Sequence, residues 1–380
     1  MIYLDHNATT PVDPRVIEVM EPYFRETYGN PSSGHQIGQK AREGMERSRI
    51  QVASLLGCGS EEVIFTSSGT ESDNLAIKGF ALAYEDQGDH IITSKIEHEA
   101  VLNSCKKLEG LGFRVTYLSV DKMGRVDPGE VKKEIAEGTL LISIMHANNE
   151  VGTIQPLQEI GKIAKERSIA FHSDAVQAVG KIESKVNVIG CDLLSLSAHK
   201  IYGPKGVGAL YVRKGFSLSP LLHGGPHERR LRAGTENVPG IVGLGKACEI
   251  ASMEMEEEGK RLRSLRNRIL EGLKKDGVQF ILNTPVDDPE ESLPGTLNIS
   301  FAGIEGEALL QALDLEGIAV STGSACESGS IDPSHVLFAM GISRMLAKGA
   351  IRISLGRGNT QEEIDKVIEI LSKLVKRLIG

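Results

Sequence analysis

Short apolar runs alternate with amphipathic segments over residues 63–212, and this alternation restricts the fold more than any other feature of the chain. Seven apolar runs read as buried strands, at 63–66, 91–94, 115–118, 140–145, 169–172, 193–197 and 207–212. The segments between them have the period of helices, at 72–84, 100–109, 128–136 and 157–167. Apolar strands that alternate with helices predict an α/β fold with a mostly parallel sheet covered on both faces.

The pattern changes after Gly240, where a long helix begins. A charged stretch at 253–259 is expected to break it, and an apolar face at helical spacing follows, made by Leu262, Leu265, Ile269 and Leu273. A length of 380 residues favours two domains. We therefore predict a large domain of residues 15–257, followed by a smaller α+β domain that contains residues 258–380.

Lys200 lies between an apolar strand end and a glycine-rich turn, in the sequence SLSAHKIYGPKG that begins at Ser195. A lysine in this context can be held by the sheet while its amine faces a cavity, where it can form a Schiff base with a carbonyl cofactor. Most lysines are solvated surface residues, so this interpretation depends on the motifs around it.

Asp174 ends the apolar run before Lys200. Neighbouring strands would bring both side chains to the sheet edge at which α/β proteins bind ligands. A Schiff-base lysine and an acid that faces the pyridine nitrogen are the usual pair in pyridoxal phosphate enzymes. Taken alone, Asp174 is better explained as the N-cap of a helix that starts at Ala175.

A turn from strand to helix at 67–72 is a candidate phosphate site. Ser68 and Glu71 have capping-box spacing, while Gly69 and Thr70 lie where free N–H groups and hydroxyls suit a phosphate. An ordinary capped helix explains the same residues. The turn matches neither the P-loop nor G-x-G-x-x-G, which disfavours ATP and NAD.

Together these motifs resemble the NifS/IscS-type cysteine desulfurases, group I of the class V aminotransferase family. The resemblance runs from YLDHNATTP at Tyr3 to IRISLGR at Ile351, which is almost the whole chain. It implies a fold-type I PLP-dependent transferase with pyridoxal 5'-phosphate, and a homodimer whose active site lies between domains at the dimer interface. It also implies that residues 1–14 join the small domain. The implied reaction converts L-cysteine to L-alanine and leaves sulfur as a persulfide on an enzyme cysteine.

Cys326 is the candidate sulfur carrier among five cysteines. Small residues surround it in TGSACESGS, a composition typical of an exposed and mobile loop, whereas Cys58, Cys105, Cys191 and Cys248 lie in ordinary helix or strand contexts. The resemblance assigns the nucleophile to Cys326 and favours the NifS/IscS group over the SufS-like group. Glu327 is expected to favour the thiol over the thiolate.

The resemblance also implies a role for each of the other candidate site residues. Lys200 would hold the cofactor and shuttle protons, His98 would stack on the ring and assist proton transfer, and Arg352 would clamp the substrate carboxylate. Asn149 and Gln177 would contact the cofactor's phenolic oxygen, and Thr235 would reach the phosphate in the neighbouring subunit. The phosphate-side ligands would be Gly69, Thr70, Ser197 and His199, and the substrate-side turn would include Asn7 and Ala8.

The chain departs from the family pattern in two regions. Pro226 and Arg230 should make the loop at 223–230 stiffer and more basic. IscS-type members continue with a tail that helps to dock the sulfur-receiving scaffold, whereas this sequence ends at Gly380, so we expect a shorter, NifS-like form.

Composition favours a cytoplasmic enzyme. The formal charge of −8 argues against general nucleic-acid binding, and no apolar run is long enough to span a membrane. The amino terminus lacks the apolar region of a signal peptide, and few, unpaired cysteines suit a reducing compartment. Without H-E-x-x-H or a Cys/His cluster we expect no intrinsic metal site, although the resemblance allows Cys326 to be a transient iron–sulfur ligand.

Two alternatives remain open at the level of sequence. One is a selenocysteine lyase or a related PLP-dependent C–S or C–Se lyase of the same fold. The other is a sulfur-assembly scaffold that keeps the fold but does not catalyse a reaction. The sulfur acceptor also stays open, between an iron–sulfur scaffold protein, a tRNA-modifying enzyme and another carrier.

Overall fold

The computed structural model describes residues 1–322 and 334–379. The strands in these ranges are β1 (Ile2–Tyr3), β2 (Val63–Thr66), β3 (His90–Ser94), β4 (Arg114–Leu118), β5 (Thr139–Ser143), β6 (Ala170–Asp174), β7 (Leu193–Ser197), β8 (Gly208–Val212), β9 (Ile281–Leu282), β10 (Thr296–Ser300), β11 (Ile318–Ala319) and β12 (Ala350–Ser354). The helices are α1 (Pro14–Met20), α2 (Pro22–Arg25), α3 (Gln36–Leu56), α4 (Gly69–Asn74), α5 (Phe80–Ala83), α6 (Glu99–Glu109), α7 (Pro128–Glu134), α8 (Leu157–Glu166), α9 (Val186–Ile189), α10 (Val238–Lys275), α11 (Gly306–Leu315), α12 (His335–Ala339), α13 (Arg344–Lys348) and α14 (Gln361–Ile379).

The large sheet has seven strands in the order β2-β8-β7-β6-β5-β3-β4. Strands β3 to β7 run parallel to their neighbours, while β8 is antiparallel to both β7 and β2. Ile91 and Ile92, adjacent on β3, pack into two different apolar clusters, so the sheet is covered on both faces. The predicted α/β class and mostly parallel sheet are confirmed.

A smaller unit packs around the antiparallel sheet β12-β10-β9 and the short parallel pair β1-β11. Its core joins apolar residues of α11 and α14 to Ile2 and Leu4 of the amino-terminal segment. This packing places Ile2 and Leu4 with the carboxyl-terminal part, whereas Val12 packs against the core of the large sheet. The proposed domain boundaries stay a prediction.

Helix α10 corrects one expectation, because it runs without a break through the charged stretch at 253–259. Its first half contributes Leu244 and Ile250 to the core beside the large sheet, and its second half contributes Leu265 and Ile269 to the smaller core. Met253 is exposed between them. Glu256 and Glu257 face solvent, whereas Glu258 binds Arg357 and Gly259 is buried, so the charged stretch lies between two cores without ending the helix.

Helix α4 also begins earlier than predicted, at Gly69, and one π-helical turn at Leu75–Gly79 connects it to α5. The amphipathic pattern gave the length of this helical segment but not its irregular hydrogen bonding. Among the described residues, no helix is long and apolar enough to cross a membrane.

Candidate active site

The carboxyl ends of β6 and β7 and the start of α4 surround a cavity with about 800 Å³ of empty space, part of it open to solvent. Its lining comprises most of the predicted site residues, together with Ser68, Asp73, Met145, Ala147 and Val176. The predicted residues in this lining are Asn7, Ala8, Gly69, Thr70, His98, Asn149, Asp174, Gln177, Ser197, His199, Lys200 and Arg352. Strand ends separated along the chain thus converge on one space, as α/β topology dictates.

Lys200 follows β7 in a short 3₁₀ turn, Ala198–Lys200, and its amine reaches the amino-terminal segment. Its Nζ donates hydrogen bonds to the carbonyls of Asn7 at 2.5 Å and Ala8 at 2.8 Å. Thr10 holds the same turn, because its amide and its hydroxyl both donate to the His199 carbonyl at 3.0 Å. The amino-terminal segment therefore fixes the direction of the lysine.

Asp174 ends β6, which runs parallel to β7, and it is buried. One carboxylate oxygen accepts a hydrogen bond of 2.9 Å from the amide of Val176, so the capping role expected from its position is also present. Burial raises the pKa of Asp174, while the nearby charges of His98 and Lys200 act in the opposite direction. The carboxyl group is thus held at the cavity wall by the local backbone, close to Lys200 and His98.

His98 precedes α6 and caps it, because its Nδ1 accepts a hydrogen bond of 3.1 Å from the amide of Ala100. Burial is the main cause that lowers the pKa of His98, with the Lys200 charge acting in the same direction and Asp174 opposing it. A neutral imidazole that accepts at Nδ1 carries its proton on Nε2. The ring therefore has a proton at a defined atom.

The start of α4 forms one end of the cavity. Ser68 caps the helix at the Glu71 amide over 3.1 Å, but the Glu71 carboxylate accepts from the amide of Ser67, not Ser68, so the capping box is only half formed. A Cβ on Gly69 would lie 2.5 Å from Cγ2 of Val176, which requires glycine there. Ser197 Oγ is buried with no hydrogen-bond partner among the described residues, so this end of the cavity offers an unused hydroxyl.

His199 lines the same end, and its Nδ1 lies 3.1 Å from the hydroxyl of Thr9. Burial, aided by the charges of Lys200, Lys205 and Lys181, lowers the pKa of His199 to about 4. The ring is therefore neutral at physiological pH and can act as a hydrogen-bond donor or acceptor.

Arg352 on β12 reaches the cavity from the smaller unit and is 3% exposed. Its guanidinium donates to the Asn149 carbonyl at 3.1 Å and to the Asp5 carboxylate at 2.7 Å. The remaining Nε is buried without a partner among the described residues. This donor could receive an anion such as a carboxylate.

Among the described residues, one predicted site residue does not line this cavity. Thr235 is exposed and belongs to the segment before α10. Residues 228–230 of that segment all have left-handed φ values, of 40°, 57° and 70°. Buried Glu228 holds the segment through the amide of Phe65 at 2.7 Å and the guanidinium of Arg49. Cys326 lies outside the described residues.

Sequence reasoning missed several polar groups around the site. Asp73 is buried at the cavity wall, where burial and the charge of Asp174 raise its pKa. Lys181 donates to Oε1 of Gln177 at 2.8 Å and to Oδ1 of Asn7 at 3.3 Å, and burial is the main cause that lowers its pKa to about 7. Both residues also have partners in distant parts of the chain, Asp174 for Asp73 and Asn7 for Lys181, which no local pattern shows.

Glu97, another missed group, is fully buried, and burial raises its pKa to about 8. The described residues contain no cluster of acids, histidines or cysteines suited to hold a metal ion.

Pyridoxal phosphate fits the groups that are present. Lys200 supplies an amine, Asp174 a buried acid and Ser197 an unused hydroxyl near the Gly69 turn, and all of them line one cavity. The seven-stranded sheet and this cavity define a fold-type I pyridoxal phosphate enzyme. Residues 2–367 match the aminotransferase class-V family, so the chain belongs to that family.

Named relatives extend over nearly the whole chain. The sequence is 52% identical to a cysteine desulfurase IscS of Dictyoglomus turgidum and 53% identical to one of Methanosarcina thermophila. These alignments cover 99% of this chain and 95% and 92% of the two relatives. Among solved structures, a NifS-like protein is 46% identical with a TM-score of 0.92, and the alignment covers 99% of both chains.

Proposed function

We propose that this protein is a cysteine desulfurase that uses pyridoxal phosphate to convert L-cysteine to L-alanine and to keep the sulfur as a persulfide. The observation that carries the proposal is the convergence of Lys200, Asp174, His98 and Arg352 on one cavity, in a chain about half identical to cysteine desulfurases over its full length. Bound pyridoxal phosphate supplies an electron sink for charge that develops on the substrate's α-carbon.

We assign each residue around the cavity a role that its chemistry allows. Lys200 would hold the cofactor and act as a proton shuttle with its Nζ, which lies close to the carbonyls of Asn7 and Ala8. Asp174 would hold the ring nitrogen in its protonated form. His98 would stack on the ring and deliver the proton that it carries on Nε2. Asn149 and Gln177 would contact the phenolic oxygen.

The two ends of the cavity would hold the charged groups. The phosphate would lie against Gly69, Thr70, Ser197 and His199, where the Ser197 hydroxyl has no partner in the described part of the chain. Arg352 would orient the substrate carboxylate with its buried Nε, next to the turn of Asn7 and Ala8.

Cys326 would receive the sulfur. Its thiolate attacks the substrate's sulfur atom and forms an S–S bond, while the C–S bond breaks and the carbon gains a proton to give alanine. A homodimer would allow Thr235 to reach the phosphate in the neighbouring subunit. We further propose a cytoplasmic enzyme that passes sulfur to a protein such as an iron–sulfur scaffold, with Cys326 as a transient cluster ligand; the IscS names of its relatives support this.

Two variants test the proposal. Lys200→Ala should abolish the visible absorbance of the purified protein, because the cofactor loses its covalent link. Cys326→Ser should keep that absorbance and lose persulfide formation from cysteine. A wild type that stays colourless with added pyridoxal phosphate would contradict the proposal.

Alanine release from cysteine and from selenocysteine, measured side by side, separates the desulfurase from a selenocysteine lyase. Absence of release from either substrate, in a protein that binds the cofactor, would favour a scaffold without turnover.

A further inference from the structure

We infer that Lys181 is a positioning residue that fixes the side-chain amide of Gln177 and aims its free N–H into the cofactor cavity. This role lies outside the functions assigned above to the residues of the cavity lining. The inference rests on the proposed function, because it assigns the aimed N–H to an oxygen of bound pyridoxal phosphate.

The contacts of Lys181 join two elements of the site. Its Nζ donates to Oε1 of Gln177 at 2.8 Å and to Oδ1 of Asn7 at 3.3 Å. Gln177 Nε2 in turn donates to the Asn7 carbonyl at 2.8 Å, and that carbonyl also accepts from Lys200 at 2.5 Å. Lys181, Gln177, Asn7 and Lys200 therefore form one connected chain of hydrogen bonds.

Hydrogen-bonding capacity sets the direction of the Gln177 amide. The Asn7 carbonyl is only an acceptor, so the amide nitrogen of Gln177 must face it. The amide oxygen then faces Lys181, whose amine donates to it. The second hydrogen on Nε2 has no acceptor among the described residues, and Gln177 lines the cavity. That hydrogen is left for an oxygen of the cofactor.

A cationic donor also strengthens the aimed N–H. Hydrogen bonds from charged donors are about twice as strong as neutral ones, and consecutive bonds polarise one another. Among the described residues, Lys181 forms no ion pair, and its partners are two neutral amides. Burial and the charges of Lys200 and Arg352 disfavour its ammonium form. An apolar side chain could fill the same space without the free-energy cost of burying a charge, so we infer that the amine has a role.

The backbone before Lys181 directs its side chain to this place. Gly180 has a left-handed φ of 74°, and a Cβ there would lie 2.7 Å from Cγ2 of Ile201. Lys181 also lines a small second pocket, shared with Lys200 and Tyr202. Its amine lies between the side chains of Asn7 and Gln177.

Lys181→Met tests the role with little change in side-chain volume. We expect cofactor affinity in the apoprotein to fall about tenfold, the loss of one charge-assisted hydrogen bond. We also expect the pH midpoint of the holoprotein's visible band to rise by about 0.5 unit, because a donor and a positive charge are lost. Lys185→Met is the matched control, since that exposed lysine of the same segment pairs with Glu183.

A double-mutant cycle with Gln177→Leu separates positioning from a general effect of charge. We expect Gln177→Leu to weaken cofactor binding clearly less in the Lys181→Met background than in the wild type. The inference would be overturned if the two substitutions lowered cofactor affinity additively. It would also be overturned if Lys181→Met and Lys185→Met had equal cofactor affinities and pH midpoints. Either result would leave the proposed function intact. A wild type that binds no pyridoxal phosphate would instead overturn the proposed function.

Discussion

At the scale of single residues, buried acids decide how stability follows pH, and Glu97 is the clearest case. Its Oε1 accepts from the Ser94 hydroxyl at 2.6 Å and from the Met145 amide at 3.1 Å, while Oε2 is buried without a partner among the described residues. Burial raises the pKa of Glu97 from 4.5 to about 8. The carboxyl is therefore protonated in the folded protein at neutral pH, and ionised in the unfolded chain.

This difference predicts that Glu97→Gln stabilises the protein at alkaline pH. In the wild type, the free energy of unfolding should fall as pH rises from about 4.5 to about 8, because only the unfolded chain releases the proton. Glutamine cannot ionise and keeps an acceptor for Ser94 and Met145. The two pKa values correspond to a gain on the order of 4 kcal/mol at pH 8.5 and almost none at pH 4.5.

Denaturant unfolding at several pH values and a fixed protein concentration checks this prediction. Glu99→Gln, in the first turn of α6, controls for the removal of a negative charge. A stability difference between wild type and Glu97→Gln that does not depend on pH would contradict it.

Residues such as Glu97 and Lys181 also show what the sequence could not predict. Lys200, Asp174 and Gly69 were found because each lies at or just after the end of a strand, and strand ends meet at one edge of a parallel sheet. Lys181 carries no such signal, since it lies on a turn and its partner Asn7 belongs to a segment far away in the chain. The environment of a polar side chain is set by tertiary contacts, which a local pattern does not contain.

At the scale of elements, the close approach of α4 to the turn after β6 shapes the end of the cavity that we propose to hold the phosphate. A Cβ on Gly69 would lie 2.5 Å from Val176 Cγ2 and 3.6 Å from the Cβ of Ser197. We expect Gly69→Ala to displace the start of α4 or the Val176 turn and to weaken pyridoxal phosphate binding at least about tenfold.

Titration of the apoprotein with pyridoxal phosphate, followed by visible absorbance, measures this effect. Gly34→Ala is the control, because a Cβ at Gly34 meets nothing within 4 Å. Equal cofactor affinity for Gly69→Ala and Gly34→Ala would show that the approach of the two elements does not shape the site.

The bounds of an element could be predicted from the sequence where the whole element packs in one core. They were harder to predict for an element that passes between two cores. The strands of the large sheet were located to within a few residues, because both of their faces are apolar. The continuity of α10 was missed because Met253 and its charged neighbours are not packed into either core. A charged stretch in a sequence indicates exposure, and a helix can cross such a stretch without ending.

At the scale of the whole molecule, Arg357 connects the smaller unit to the turn that carries Lys200. Its guanidinium lies 4.4 Å above the ring of Tyr202, its amide donates to the Tyr202 hydroxyl at 2.6 Å, and its Nε contacts Glu258 at 3.0 Å. Tyr202, two residues after Lys200, has a left-handed φ of 64°. A strained turn of this kind persists only where its surroundings hold it.

Arg357→Met should therefore loosen the coupling between the two units as well as lower stability. Loss of the guanidinium leaves Asp13 and Glu258 without one of their partners, at a cost of about 1–3 kcal/mol in this partly buried setting. We expect a lower unfolding temperature and a broader calorimetric transition, because the smaller unit can then open before the large sheet unfolds.

The matched control is Arg268→Met, which breaks an exposed ion pair with Asp365 inside the smaller unit. Since exposed pairs contribute little, its transition should stay as sharp as that of the wild type. An increase in the KM for cysteine should accompany the broader transition of Arg357→Met, because Arg352 lies on the unit that opens while Lys200 lies beside the sheet that remains. A sharp transition with unchanged KM would mean that α10 alone holds the two units in register.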